Sequence, residues 1–478
     1  MTIRAQAGNP SKLIETGSTM ALARMAAAMK WRDLPIGVIE RAKDLVLDHI
    51  GVTLYGAGLP WSRQVRELVL AEGGKAHSTI YGSRRVPARA AALANGAAAH
   101  AIELDDTHDE SLSHPGCVVL PAAFAVAEML SKSGGEFLAA MVAGYETQCR
   151  IGVALGHQLQ LNGWHPTATC GVFGAAAAAG NLLRLDAAAL VSAFGSAGGM
   201  ASGVMQFAED PAGTTIKRLH GGLPAERGIL AATLAAAGFA GPRQAIEGRW
   251  GFARVFTGES NVERITEGLG EHFAIERISV KLYACCKLFH SLIEAVENCR
   301  SERPFTAEEV VAVEPFGPRH MIDGHMEFRP LSMMAAQYSL PYACAAAIVF
   351  DPRVPDSFAL ERLSHKGALR IADLVKPVVE EALDAMFPRR FAGGIRIRLR
   401  DGRTLTSTVL DSRSSPEVPI GREEIQVKFR TLTGALLSPR RQARIIEMTA
   451  GLEGLASIGE LIALLRGIPQ MKGRRSAA

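Results

Sequence analysis

His100–Gly116 reads HAIELDDTHDESLSHPG and holds three histidines, three aspartates, two glutamates, a threonine and two serines. Ala-rich apolar sequence flanks it on both sides. A core helix has no use for so many ionisable groups, because a buried charge is costly unless paired. An exposed helix would carry Lys or Arg at i,i+4, and this stretch has neither. Pro115-Gly116 closes it with a turn. The pattern predicts a helix over 87–103 that runs into a polar loop facing a cleft. The plain alternative is a solvated acidic loop.

On the N-terminal side, 13–32 and 35–55 read as amphipathic helices. The second places Ile39, Ala42, Leu45, Val46 and Ile50 along one face. A further helix covers 61–72. On the C-terminal side, 120–130 and 136–155 continue the helical pattern. Asn162, Gly163 and Pro166 then make a turn into a small-residue helix, with His165 at its entrance. A helix N-terminus suits an anionic ligand, although a histidine there can simply cap. The uncharged run 187–208 is long enough to raise a membrane question, but its glycines, serines and Gln206 predict a buried helix broken near Gly198-Gly199. A second polar island, 209–222, sets Lys217, Arg218 and His220 after a Gly-Thr-Thr turn, a plausible clamp for carboxylate or phosphate.

The texture changes after about residue 270. Residues 276–283 and 309–315 read as strands, and 287–300 and 329–350 as helices. Residues 393–411 form a hairpin, with Ile395, Ile397 and Leu399 alternating with arginines before the Asp401-Gly402 turn. Helices resume over 421–434 and 441–467. The predicted fold is mainly α: a large all-helical domain from 1–270 and 401–478, with a smaller α/β lid domain inserted at 271–400.

Composition narrows the function. The 478 residues are 48% hydrophobic and only 6% aromatic, which suits Ala-rich helices packed through small side chains. A net charge of +4 without a basic, aromatic-interleaved patch argues against nucleic acid as partner. Neither a signal peptide nor a membrane span is predicted. Seven cysteines at irregular spacing point to reduced thiols and a cytoplasmic location. Asp105, Asp106, His108, Asp109 and His114 are metal ligands by type, but their spacing fits no short metal motif. Cys285-Cys286 with His290 suggests a nucleophile, though such neighbours more often reflect packing.

Six segments in order, ELDDTHDESLSHPG, GWHPTATCGVFGAAAAAG, KRLHGGLPAERG, EGRWGFARVF, SVKLYACCKLFHSLIEA and QYSLPYACAAA, resemble the MmgE/PrpD family. That family includes 2-methylcitrate dehydratases, cis-aconitate decarboxylase and iminodisuccinate epimerase. The resemblance runs from about residue 15 to 465. It implies a helical domain with an α/β lid, a homodimer, metal-independent catalysis without a cofactor, and a small carboxylate substrate. By motif position, the decarboxylase site falls on Thr107, His114, His165, Lys217, Lys281 and Tyr342. The decarboxylase aspartate two positions before the Asp pair is Glu103 here, one methylene longer, and a proline often found in the lid motif is Ala284.

The family's chemistry moves a proton at a carbon next to a carboxylate. Lys217, Arg218 and Lys281 are then expected to hold carboxylates, with His220 beside them. His114 and His165 are the expected acid and base, Asp105 or Asp106 would orient an imidazole, and Tyr342 would donate a proton or bind a carboxylate. Dehydration of a citrate-like acid such as 2-methylcitrate is the first expectation, in the setting of propionate metabolism. Decarboxylation of cis-aconitate is the second and epimerisation of a substituted succinate the third. A catalytically silent carboxylate-binding homologue is the non-enzyme alternative.

Overall fold

Small side chains let helices cross at very short range. The computed structural model describes residues 17–210, 214–258 and 262–468. Counting helices of eight residues or more, the first half contains α1 (Ser18–Ala28), α2 (Ile36–Gly56), α3 (Pro60–Glu72), α4 (Ala88–Ala99), α5 (Gly116–Met129), α6 (Gly134–Leu161), α7 (Pro166–Leu182), α8 (Ala187–Gly198) and α9 (Ile216–Ala236). At the α4–α9 crossing, a Cβ on Gly96 would lie 2.6 Å from Gly222 Cα. Only glycine permits that approach, and it sets the second turn of α9 against the end of α4.

The second half adds α10 (His290–Glu302), α11 (Leu340–Val349), α12 (Lys366–Asp373), α13 (Arg422–Thr433) and α14 (Pro439–Ala450). Ser78–Thr79 (β1) and Arg85–Val86 (β2) pair antiparallel. Thr107–His108 (β3) pairs with Ile278–Ser279 (β4), so the opening stretch is stitched to the α/β part. A four-stranded sheet has the order β6-β5-β7-β8, with β5 at Val310–Gly317, β6 at Val378–Val379, β7 at Gly393–Leu399 and β8 at Thr404–Val409. Ile395, Ile397 and Leu399 face inward onto Leu292 and Val296 of α10. Ile425 and Phe429 of α13 join the core built by α2, so the chain's end packs on its beginning.

The mainly α class is as expected, but several elements differ. The helix expected to reach Glu103 stops at Ala99, because Glu103 has φ +56°, outside the helical region. The strand expected over 276–283 is only Ile278–Ser279. The helix expected over 329–350 is broken into Met333–Gln337 and α11, because Ser339 caps a new start and Pro341 follows. Residues 441–467 also split, into α14 and Gly459–Ala463. Residues 13–16 lie outside the described residues. The run 187–208 is α8 followed by a break at Gly199. No described helix is long and apolar enough to cross a membrane, and none of the seven cysteines is in a disulfide.

Candidate active site

Between α4 and α5 the His100–Pro115 stretch has only the short strand β3 as regular structure, yet it is held at several points. Arg218, Gln337 and Lys428 each donate to one of its carbonyls, at His100 (3.1 Å), Ile102 (2.9 Å) and Leu104 (2.8 Å). These clamps hold Glu103 in its left-handed conformation, a strain of order 1–3 kcal/mol that the surroundings must offset. The solvated-loop alternative fails, since the residues from His100 to His108 are all buried.

Glu103 is the hub. Its Oε1 accepts from Lys217 Nζ at 2.5 Å and from Arg218 at 2.7 Å, and its Oε2 accepts from Lys281 Nζ at 3.2 Å. Burial alone would raise its pKa, but Lys217, Lys281 and Arg218 outweigh that and hold it well below the usual carboxylate range. One carboxylate against three cations leaves two positive charges over. Lys217 also donates to the Tyr338 hydroxyl at 2.6 Å.

A cavity of about 360 Å³ opens onto this cluster, lined by Glu103, Thr107, His114, His165, Lys281, Lys287, Tyr338, Phe207 and Cys286 among others. Two larger clefts, near Glu294–Arg413 and near Gly195–Phe256, are lined by neither histidine nor lysine.

The imidazoles form a group of four. His100 Nδ1 donates to Asp105 Oδ2 at 2.7 Å. Its ring stacks on His165 at 5.8 Å and lies 5.1 Å from His114. His114 Nδ1 meets the Asp106 carbonyl at 2.9 Å; a carbonyl only accepts, so Nδ1 carries the proton and Nε2 keeps the lone pair. His165 and His220 share an Nδ1–Nδ1 hydrogen bond of 2.9 Å. Burial pushes His114 and His220 down to about 3, and burial with nearby His220 and Lys217 pushes His165 well below its ordinary value. All are neutral at physiological pH without a ligand.

The paired aspartates have opposite fates. Burial pushes Asp105 up, but the His100 N–H bonded to it and the Lys281 ammonium overcome that and keep the carboxylate ionised. Asp106 accepts from the Tyr145 hydroxyl at 2.6 Å and from the Gly116 N–H at 2.8 Å, at the start of α5. Burial still wins, with Asp105 and Asp48 adding to it, and Asp106 rises to about 7.

The expected residues thus separate into groups. Glu103, Thr107, His114, His165 and Lys281 line the cavity. Asp105 lies behind them on the imidazoles, 3.6 Å from His114 Nδ1. Lys217, Arg218 and His220 are not lining residues. Lys217 is wholly buried behind Glu103 and Tyr338; Arg218 braces Glu103, the His100 carbonyl and Gln337; His220 holds His165. The Asp106 backbone carbonyl accepts from the His114 ring, while its side chain turns to Tyr145 and Gly116 and does not line the cavity. Tyr342 is displaced most: its hydroxyl donates to the Ser357 carbonyl at 3.1 Å, in the core beside Phe358. The helix break at Ser339 turns Tyr338, one turn earlier, into the cavity instead. The Ser-x-Pro at 339–341 was the available signal. Sequence reading also passed over His100, Gln337 and Lys287 as site residues.

The possible metal ligands do not converge. His108 Nδ1 accepts from the Ser111 N–H, and Asp109 from the Ser279 hydroxyl. Among the described residues the one close set of three donors is His100, Asp105 and Cys117, whose imidazole and carboxylate already bond each other. Burial raises the Cys285 and Cys286 thiols, which opposes a thiolate nucleophile, and His290 stands edge-on to Tyr283 at 5.1 Å.

Comparison with known proteins covers most of the chain. The chain is 32% identical to a cis-aconitate decarboxylase of Aspergillus terreus over 94% of its own length and 96% of the relative's. It is 26% identical to the cis-aconitate decarboxylase of Mus musculus, over 94% and 93%, and 25% to that of Homo sapiens, over 94% and 94%. Residues 20–265 match the MmgE/PrpD N-terminal domain and residues 283–454 the MmgE/PrpD C-terminal domain; the chain belongs to the MmgE/PrpD family.

Proposed function

We propose that this chain is a carboxy-lyase acting on cis-aconitate or a close tricarboxylate. The observation that carries the reading is a buried cavity with a net-cationic floor and with His114 and His165 among its lining imidazoles, in a chain whose relatives are cis-aconitate decarboxylases. The order of expectations is therefore reversed, with decarboxylation ahead of dehydration.

In such a reaction the CH2-bound carboxylate leaves as CO2. Its bonding electrons form a new C=C bond, and the old one shifts to place carbanion character beside the far carboxylate. One proton added there gives methylenesuccinate. Lys281 would bind a retained carboxylate. Lys217 donates to the Tyr338 oxygen, and the phenolic proton, held here by only a long 3.5 Å bond to Glu103 Oε2, would turn to a ligand carboxylate. His114 would deliver the proton from Nε2. Its depressed pKa rises when carboxylates arrive, since nearby negative charge favours imidazolium. Asp105 then stabilises the imidazolium it faces.

Proton NMR in D2O tests this with EDTA-treated protein and cis-aconitate, citrate, 2-methylcitrate and a substituted succinate. The expected result is methylenesuccinate with one deuterium, formed with an equal amount of CO2 from cis-aconitate alone. A new alkene from a hydroxy acid with no CO2 would overturn it in favour of dehydration.

A further inference from the structure

We propose that Lys287 is a specificity-determining residue that takes one carboxylate of a tricarboxylate ligand, apart from those met by Lys281 and Tyr338. The inference rests on the carboxylate reading of the cavity and adds a residue to it.

Lys287 lies just after the Cys285-Cys286 pair, on the turn that opens α10, and it lines the same cavity as Lys281. The two lysines are equally buried but differently partnered. Lys281 is paired with Glu103. Lys287 makes one hydrogen bond, to Ser412 Oγ at 3.2 Å, and no carboxylate among the described residues comes within 4.0 Å of its ammonium. Asp109, Glu294 and Glu417 act on it only at longer range, and Lys281 repels it. Asp109 faces Ser279 instead, with its Oδ1 unpaired and buried. A buried ammonium without a counter-ion costs stability, and a ligand carboxylate that pairs with it offsets that cost only in the complex. Burial has lowered the Lys287 pKa, whereas Glu103 has raised that of Lys281, so the two corners differ in charge supply as well as position.

The test is calorimetric binding of unreactive probes to wild-type, Lys287→Met and Lys287→Arg proteins. The probes are propane-1,2,3-tricarboxylate, glutarate and methylsuccinate; each dicarboxylate lacks one arm of the first. Wild-type protein is expected to prefer the tricarboxylate. In Lys287→Met its affinity falls roughly 10- to 100-fold, the dicarboxylate lacking the Lys287-facing arm binds as before, and Lys287→Arg keeps part of the preference. Thermal unfolding provides a second readout: Lys287→Met should unfold no lower than wild type, whereas loss of a structural brace would lower it. If Lys287→Met keeps the full preference, or weakens all three probes alike, the inference is overturned alone. If wild type binds none of the probes, the carboxylate reading falls and takes this inference with it.

Discussion

The two walls of the cavity are buried alike and charged differently. The helical wall presents His114 and His165, with His100 and His220 behind them, and burial keeps every one of them neutral. The α/β wall brings Lys281, Lys287 and Tyr338, and there a partner decides the outcome: Glu103 raises Lys281, while Lys287, with no carboxylate close by, is lowered. Burial lowers an imidazole or an ammonium, and a fixed counter-charge restores it. The α/β wall is therefore ready to recognise an anion, and the helical wall can hold an extra proton only once that anion has bound.

The largest effect that sharpens this contrast is on the helical wall. His114→Ala should lower kcat by roughly 10²–10⁴-fold with a smaller change in KM; near-normal turnover on cis-aconitate would remove His114 from the chemistry. The hub between the walls comes next. Glu103→Gln leaves Lys217, Arg218 and Lys281 facing one another, so a loss of about 3–5 kcal/mol in urea unfolding is expected. On the α/β wall, Tyr338→Phe should reduce kcat/KM about tenfold, because a charge-assisted partner is lost. Tyr342→Phe should cost about 1 kcal/mol of stability and leave kcat within about twofold. The reverse pattern would restore Tyr342 to the site.

The last effect is read as a pH slope and concerns Asp106, whose carbonyl accepts from His114. Asp106 ionises near 3.8 when unfolded and near 7 when folded. The folded state therefore holds the extra proton between these values, and the stability this contributes is present below pH 4 and lost as pH rises through 7. Asp106→Asn should flatten a slope of at most about 1.4 kcal/mol per pH unit in that window. An unchanged slope would mean that Asp106 titrates normally.

Much of this was legible in the sequence because the signals are local. The acidic, histidine-rich stretch between alanine helices marked the site, and the alternation around Ile395 and Ile397 marked the sheet. The cations Lys217, marked by the polar island 209–222, and Lys281, named through the family resemblance, do meet at Glu103. What was not legible depends on tertiary geometry. The early end of α4 follows from the positive φ of Glu103, which clamps from Arg218, Gln337 and Lys428 enforce. Asp105 and Asp106 are neighbours of identical type, and only the groups across from each separate an imidazole partner from a tyrosine-bound carboxyl. Tyr338 and Tyr342 differ by a single helix break.

The most direct measurement of the central claim is proton uptake on binding. Propane-1,2,3-tricarboxylate is titrated calorimetrically into the protein at pH 7 in buffers of different ionisation heat. Uptake of about one proton is expected for wild type and clearly less for His114→Ala, because arriving carboxylates raise a depressed imidazole. Tight binding with no uptake by wild type would contradict the account, since the helical wall would then stay neutral in the very complex that needs its proton.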